Sequence, residues 1–383
     1  MGGANGKRFQ EMNRIVIKIG SNILTNKSGG LNQQRVNSIA KDVSGLCNDD
    51  YEVVIVSSGA IAAGMKKLGL KEKPQDIRLK QAAAAVGQSS LMWAYEKSFS
   101  RFQKKVAQVL LTRGTFSDRN RYLNAKNTII TLLSYGIIPV INENDTVATD
   151  EIKFGDNDQL AALVSGLIDA ERLIILSDVN GLFSADPKKN PDAKIITAVK
   201  EITPELEKMA EGAGSIIGTG GMYSKLLAAK KALSYGIKVN IVSGRKGGIV
   251  QALLHGANPG TEFVSQTKKV SSKKGWIAYA IKPKGTIILD HGAVCAVMQS
   301  GKSLLPSGIM MVEGVFDVGD AVHCVDPYGS RIAKGIVNYS SHDIDRIKGK
   351  QTSEIEESLG YKYSDEVIHR DNLVRLKKGL VIE

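Results

Sequence analysis

At 383 residues the chain is long enough for two or three domains of about 100–200 residues each, which excludes a disulfide-stapled miniprotein and a single small module. Hydrophobic residues make up 43% and charged residues 23%, with 39 Gly and 9 Pro, a globular composition far from disordered or collagen-like chains. Lys and Arg number 51 against 39 Asp and Glu, a net charge of +12 that points to an anionic partner, be it nucleic acid, phospholipid or a small phosphate.

In chain order, residues 1–13 are polar and Gly-rich and read as a disordered tail without the apolar stretch of a signal peptide. Met1-Gly2 opens like a myristoylation motif, but Gly6 stands where Ser or Thr is needed. From Arg14 short apolar runs alternate with helical patterns. RIVIKIG precedes a helix over 32–47, EVVIVSSG a long helix over 76–102, and VAQVLLT a helix over 119–135; GIIPVIN, a helix from Asp156, RLIILSD, a helix from Met222 and KVNIVSG follow. Nearly continuous Ile/Val/Leu strands, each followed by a helix, predict a mostly parallel sheet covered on both faces, a three-layer αβα sandwich over 14–265.

Residues 268–284 carry six lysines and no acid, and 266–283 read as a basic linker. From there to residue 383 the runs TIILD, GIMMVEGVFDVGD, AVHCVDP and IAKGIVNYS are short and Gly-punctuated, which predicts a small β-rich domain with one helix over 292–299. The cysteines, Cys47, Cys295 and Cys324, are odd in number, far apart and without zinc-site spacing, which suits a reducing cytoplasm. No apolar run reaches the roughly 18 residues of a membrane span, so no membrane role is expected.

In an open parallel sheet the ligand crevice lies beyond the carboxyl ends of the strands. The residues there are Gly20-Ser21, Ser57-Ser58-Gly59, Asn142-Glu143-Asn144-Asp145, Ser177-Asp178 and Ser243-Gly244. Small hydroxyls and glycines leave backbone N–H groups open to an anion, while the third cluster adds carboxylates and amides; the same residue types also make ordinary turns. Lys18 lies inside an apolar run, where its ammonium either snorkels from an edge or meets an anion. Lys225 follows Gly218-Thr219-Gly220-Gly221 by one turn, and a Gly-rich loop opening a helix is suited to phosphate. Asp156 and Asp158 fit an N-cap and a first-turn acid, yet Asn144-Asp145 about a dozen residues earlier would complete a holder for an amino acid's ammonium and carboxylate. A loosened P-loop pattern at 296–303 is rejected, because it follows a helix and runs into Pro306. No Gly-x-Gly-x-x-Gly dinucleotide fingerprint occurs.

With these pieces placed, the chain resembles the glutamate 5-kinases of the amino acid kinase family, with a C-terminal PUA domain. The matching stretches are IVIKIGSNILT (15–25), VIVSSGAIAAGM (54–65), VLLTRGTFSDRNRYLNAKNTI (109–129), PVINENDTVAT (139–149), FGDNDQLAALV (154–164), LSDVNGLFSADP (176–187) and GTGGMYSKLLAAKKA (218–232), with TIILDHGA and GKSLLPSGIMMVEGVFDVGDAV in the PUA-like part over 284–383. The resemblance implies an amino acid kinase fold. It places Lys18 and Lys225 on the transferring phosphoryl group, with Asp158 orienting both lysines. Ser58, Asp145 and Asn157 would bind glutamate. ATP would be held by Lys18, Ser177, Asp178 and the run Thr219, Gly220, Gly221, Met222, Tyr223, Ser224 and Lys225; Tyr223 departs from the small residue expected there. The implied reaction is Mg2+-dependent phosphorylation of the γ-carboxylate of L-glutamate by ATP, giving L-glutamyl 5-phosphate, the first step toward proline and subject to feedback inhibition by proline. A cytoplasmic homo-oligomer, dimer or tetramer, and a glutamyl phosphate reductase partner are implied as well. No metal ligand is assigned.

The chemistry agrees independently. A γ-carboxylate with a pKa of about 4.3 is already ionised at neutral pH, so no general base is required, and all five histidines lie away from the strand-end loops. Two competing readings remain: a sister kinase of the same fold on another acceptor, and an RNA-binding protein acting through the PUA-like part. Residues 284–383 hold 12 Lys and Arg against 14 Asp and Glu, a net −2 that is weak ground for binding a phosphate backbone.

Overall fold

The computed structural model describes residues 13–26, 29–72, 74–147, 157–187, 190–211, 221–264, 271–377 and 380–382. The expected tail before residue 13, Asp156, Thr219 and Gly220 lie outside the described residues. The chain divides into two compact units, one of residues 1–115 and 120–269 and the other of 116–119 and 270–383.

The first unit is built on an eight-stranded sheet. Its strands in chain order are β1 (Arg14–Ile19), β2 (Glu52–Ser57), β3 (Lys105–Leu111), β4 (Ile137–Glu143), β5 (Arg172–Ser177), β6 (Ala198–Val199), β7 (Lys238–Ser243) and β8 (Thr261–Phe263). They lie side by side as β3-β4-β2-β1-β5-β7-β8-β6. Pairing is parallel from β3 to β7, and β8 runs antiparallel to β7. The short β6 and β8 were not read from the sequence. Because the chain leaves β1 toward β2 and later returns to its other side at β5, the strand order reverses at β1, which is where ligand crevices open in such sheets.

Side-chain alternation explains why β1 is apolar at almost every position. Ile15, Ile17 and Ile19 belong to a core with Val36, Ile39 and Val43 of the helix Gln33–Asn48 and Leu91, Tyr95 and Phe99 of the helix Ile77–Ser100. Val16 and Lys18 therefore face the opposite layer, where the helix Asn157–Leu167 packs on β1 and β5 and against the helix Met222–Ser234. Lys18 is 3% exposed, so the strand is central and the edge alternative for this lysine is excluded.

Two glycines fix the layer on the other face. A Cβ at Gly64, in the helix Ala60–Lys67, would stand 1.8 Å from Ala83 O, and one at Gly87 would stand 1.8 Å from Ala60 O. Only hydrogen fits at this crossing, so the helix that starts after Ser58-Gly59 is locked to the middle of 77–100. Gly59 itself has φ of +104°, a left-handed backbone that makes the sharp exit from β2.

The second unit has a six-stranded sheet ordered β10-β9-β11-β12-β13-β14, from β9 (Gly285–Leu289), β10 (Ile309–Glu313), β11 (Ala321–Val325), β12 (Arg331–Ile336), β13 (Leu373–Lys377) and β14 (Leu380–Ile382). Its own core includes Phe316, Val322, Tyr339, Ile344 and Ile368. The helix His291–Ser300 ends at Gly301 with φ of +58°, a left-handed stop, so the P-loop-like run at 296–303 spans a helix end as expected. The segment read as a basic linker differs from expectation: its described part forms a short helix, Ser272–Gly275, and a π-helical turn, Trp276–Ala280, that buries Trp276 and Ile277. The lysine-rich composition hid this apolar anchor.

Candidate functional site

Lys18 near the end of β1, Asp158 in the first turn of the helix Asn157–Leu167 and Lys225 in the first turn of the helix Met222–Ser234 converge. Asp158 is fully buried and Lys225 is 5% exposed. One carboxylate oxygen of Asp158 pairs with Lys18 Nζ; the other lies 3.3 Å from Lys225 Nζ and accepts from Ser224 Oγ at 3.2 Å. Lys225 Nζ also donates to Gly221 O at 3.4 Å. Two buried ammonium groups share one carboxylate, so the trio keeps one net positive charge in a medium that screens it poorly. Gly20 lies against this ammonium: a Cβ there would stand 3.8 Å from Lys18 Nζ, in van der Waals contact. The arrangement suits a phosphoryl group.

Two features continue this crevice along the ends of β5 and β7. Gly20 N–H donates to Leu176 O at 3.2 Å and Gly244 N–H to Ser177 O at 2.8 Å, which closes the strand ends together. Asp178 accepts from Asn22 Nδ2 at 3.0 Å and from Ser177 Oγ at 3.3 Å. Burial pushes the Asp178 carboxyl up, but the Asn22 amide, its own backbone N–H, Lys225 and Ser177 outweigh it and hold the pKa below the ordinary value. It is a fixed anion beside the lysines. Met222, Tyr223 and Ser224 form the first turn of the helix capped by Gly221, so the described part of the Gly-rich run sits at a helix N-terminus.

On the other side of β1 the amides gather. Asn157 Nδ2 reaches Ser58 Oγ at 2.9 Å, Asn142 Oδ1 at 3.0 Å and Ser57 O at 3.1 Å. Ser57 Oγ and Tyr95 OH lie 2.9 Å apart in the core, bracing the turn from below. Asn142 Nδ2 donates to Gln88 Oε1 at 2.9 Å. Beyond them a cleft of about 230 Å³ is lined by Gln88, Gln108, Glu143, Asn144, Asp145 and Thr146, among others.

Of the residues singled out in the sequence, Lys18, Lys225 and Ser224 each contact Asp158, Ser58 and Asn157 are in contact, and Asp145 lines the cleft. Ser177 and Asp178 stand at the end of β5 next to Asn22. Gln88, Tyr95 and Asn22 went unread. Gln88 had a weak signal: an amide beside Gly87 in an otherwise Ala-rich helix, which packing alone does not call for. Among the described residues no group of three His, Cys, Asp or Glu comes together as a metal site.

A parallel sheet whose central strand delivers a buried lysine to a shared aspartate, beside a Gly-capped helix and an amide-lined cleft, is laid out for moving a phosphoryl group onto a small polar acceptor. The model of the amino acid kinase family matches residues 13–243, and that of the PUA domain residues 285–359. The chain belongs to the amino acid kinase family. Among its relatives, the glutamate 5-kinase of Caldanaerobacter subterraneus subsp. tengcongensis is 51% identical over 366 residues, covering 96% of this chain and 98% of the relative. That of Geobacter sulfurreducens is 51% identical over 368 residues, covering 96% and 99%, and that of Syntrophotalea carbinolica is 50% identical over 366 residues, covering 96% and 98%.

Proposed function

We propose that this chain transfers the γ-phosphoryl group of ATP to the γ-carboxylate of L-glutamate, giving L-glutamyl 5-phosphate in the first step toward proline. The observation that carries the reading is the Lys18–Asp158–Lys225 trio at the strand-order reversal, together with the near-full-length similarity to glutamate 5-kinases.

The nucleophile arrives ionised, so no base is needed and the barrier lies in bringing two anions together. A carboxylate oxygen attacks the γ-phosphorus while the bond to the bridging oxygen breaks and ADP leaves. Charge spreads over the equatorial oxygens of a loose transition state. Lys18, near the end of β1, and Lys225, at the helix N-terminus, neutralise that charge, and Asp158 holds both ammonium groups in place before substrate arrives. Ser177, Asp178 and the run Thr219–Lys225 hold the nucleotide; Ser58, Asp145 and Asn157 hold glutamate. Among the described residues no cluster of carboxylates or imidazoles forms a metal cage, and a Mg2+ arriving with the nucleotide would be held by its phosphates. Such an ion supplies further charge neutralisation when bound.

Turnover of ATP with glutamate, aspartate and N-acetylglutamate, with hydroxylamine trapping the acyl phosphate, tests the reaction; a preference for either other acceptor overturns it. Lys18→Ala and Lys225→Ala are expected to lower kcat by about 10²–10³-fold with small changes in KM, the cost of removing a transition-state donor. Near-normal turnover in either variant would defeat the assignment. Repeating the assay with proline tests feedback inhibition, and the mass of the particle in solution tests the dimer or tetramer.

A further inference from the structure

Hydrogen-bond direction in the amide cluster identifies one more group for the acceptor. The backbone N–H of Glu143 donates to Asn142 Oδ1 at 2.9 Å, and a backbone donor cannot be reversed. That fixes which end of Asn142 is oxygen, so its Nδ2 must face Gln88, and Gln88 must answer with Oε1. Flipping either amide would set N–H against N–H. The same logic runs the other way: Asn157 turns its Nδ2 to Asn142 Oδ1, Ser57 O and Ser58 Oγ, which fixes its Oδ1 on the side away from them.

The relay therefore ends in two unsatisfied atoms. Gln88 Nε2 and Asn157 Oδ1 are both buried and have no hydrogen-bond partner, a costly state unless a ligand completes it. One end offers a donor and the other an acceptor, the complement of an α-amino acid's carboxylate and ammonium. Gln88 lines the same cleft as Asn144 and Asp145. Its helix is pinned at the adjacent Gly87 against Ala60 O, so the amide is held rather than free to wander.

We propose that Gln88 is a substrate-binding residue whose Nε2–H donates to the α-carboxylate of the acceptor, with Asn142 as the positioning residue that sets its direction. The α-carboxylate is assigned rather than the γ-carboxylate because Asn142 sits on β4, two strands from Lys18 on β1, about 10 Å at the usual strand spacing. The reacting end of glutamate belongs at Lys18, which leaves the far end for Gln88. This inference rests on the glutamate reading above.

The test compares L-glutamate with 4-aminobutyrate, the same molecule without its α-carboxylate. In Gln88→Leu, kcat/KM for glutamate is expected to fall about 10- to 100-fold, chiefly through KM, as for loss of a hydrogen bond to a charged group. The kcat/KM for 4-aminobutyrate and the KM for ATP should stay within about two-fold, since neither uses that bond. Gln88→Glu, which keeps the shape but presents a carboxylate, should bind glutamate worse still. Asn142→Asp offers Gln88 an acceptor, turns its oxygen toward the substrate, and should raise the glutamate KM without moving that of ATP. Equal losses for both acceptors in Gln88→Leu would make Gln88 merely structural and overturn the proposal, as would an unchanged glutamate KM. A wild-type chain that turns over no glutamate overturns the underlying reading and this one with it; a wild type active on glutamate whose preference over 4-aminobutyrate survives in Gln88→Leu overturns only the role of Gln88.

Discussion

Asp158 is the residue on which the site's electrostatics turn. It is fully buried and is the carboxylate that both Lys18 and Lys225 face. Asp158→Asn keeps the shape but leaves two ammonium groups together in a low-dielectric interior. Removing one partner from a buried ionic cluster costs about 3–5 kcal/mol, and that loss of unfolding free energy is the expected outcome in urea titration. Nucleotide or inorganic phosphate should restore part of it, because an anion that binds only the native state stabilises that state by mass action. An Asp158→Asn protein as stable as wild type would mean that the lysines have other counter-charges. A lysine inside an apolar run, a second lysine one turn after a Gly-rich stretch and a first-turn acid were each visible in the sequence. That the two lysines share one carboxylate was implied only by the family resemblance, since positions 18, 158 and 225 meet through the strand order.

Elements decide how rigidly the site is held. The crossing of Ala60–Lys67 with Ile77–Ser100 allows no side chain at Gly64 or Gly87, so Gly87→Ala must push the helices apart. Forcing atoms into a packed contact costs about 1–3 kcal/mol, and because the displaced helix carries Gln88, the glutamate KM should rise along with the loss of thermal stability. In the second unit Lys334 on β12 plays a comparable holding role: it is 5% exposed and donates to Ala278 O at 3.3 Å and to Ile281 O, closing the π-helical turn Trp276–Ala280. Burial pushes its pKa down to about 8 from 10.5. Below pH 8 both folded and unfolded chains hold the proton and the burial cost is at its maximum. Between about pH 8 and 10.5 the native state gives it up while the unfolded state keeps it, so stability rises with pH across that window. Comparing urea midpoints of wild type and Lys334→Met from pH 7 to 10.5 checks the sign: the wild type should gain relative to the variant over that range. The helix over 77–100 was legible as a long helical stretch over 76–102, whose Asp76 cap the structure adds, whereas the turn over 276–280 was masked by surrounding lysines.

At the scale of the whole molecule the charge is unevenly divided. Residues 1–283 hold 39 Lys and Arg against 25 Asp and Glu, a net +14, while 284–383 are at −2. The first unit, residues 1–115 and 120–269, carries +11 of this, and its positive potential should draw in ATP and glutamate, so kcat/KM for ATP is expected to fall as salt rises from about 20 to 500 mM while kcat stays nearly constant. A salt-independent kcat/KM would remove steering from the account. Lys284, at the end of the lysine-rich strip, is paired with Asp320 at 2.8 Å, which takes one cation from any phosphate-binding surface there.

By itself the sequence determined the parallel sheet, because strands buried on both faces must be apolar at nearly every position, and it located the crevice, because small and polar residues end those strands. It also marked Lys18 and Lys225, since a lysine in an apolar run and one after a Gly-rich loop each need a reason. Only the tertiary structure decided the contacts between distant segments: the geometry by which Asp158 meets both lysines as the resemblance implied, the glycine crossing that pins the helix of Gln88, and the Glu143 N–H that sets the direction of every amide from Gln88 to Asn157. Periodicity reports which face a residue is on. Hydrogen-bond direction depends on what stands opposite, and in this chain the opposite groups come from strands and helices dozens of residues apart.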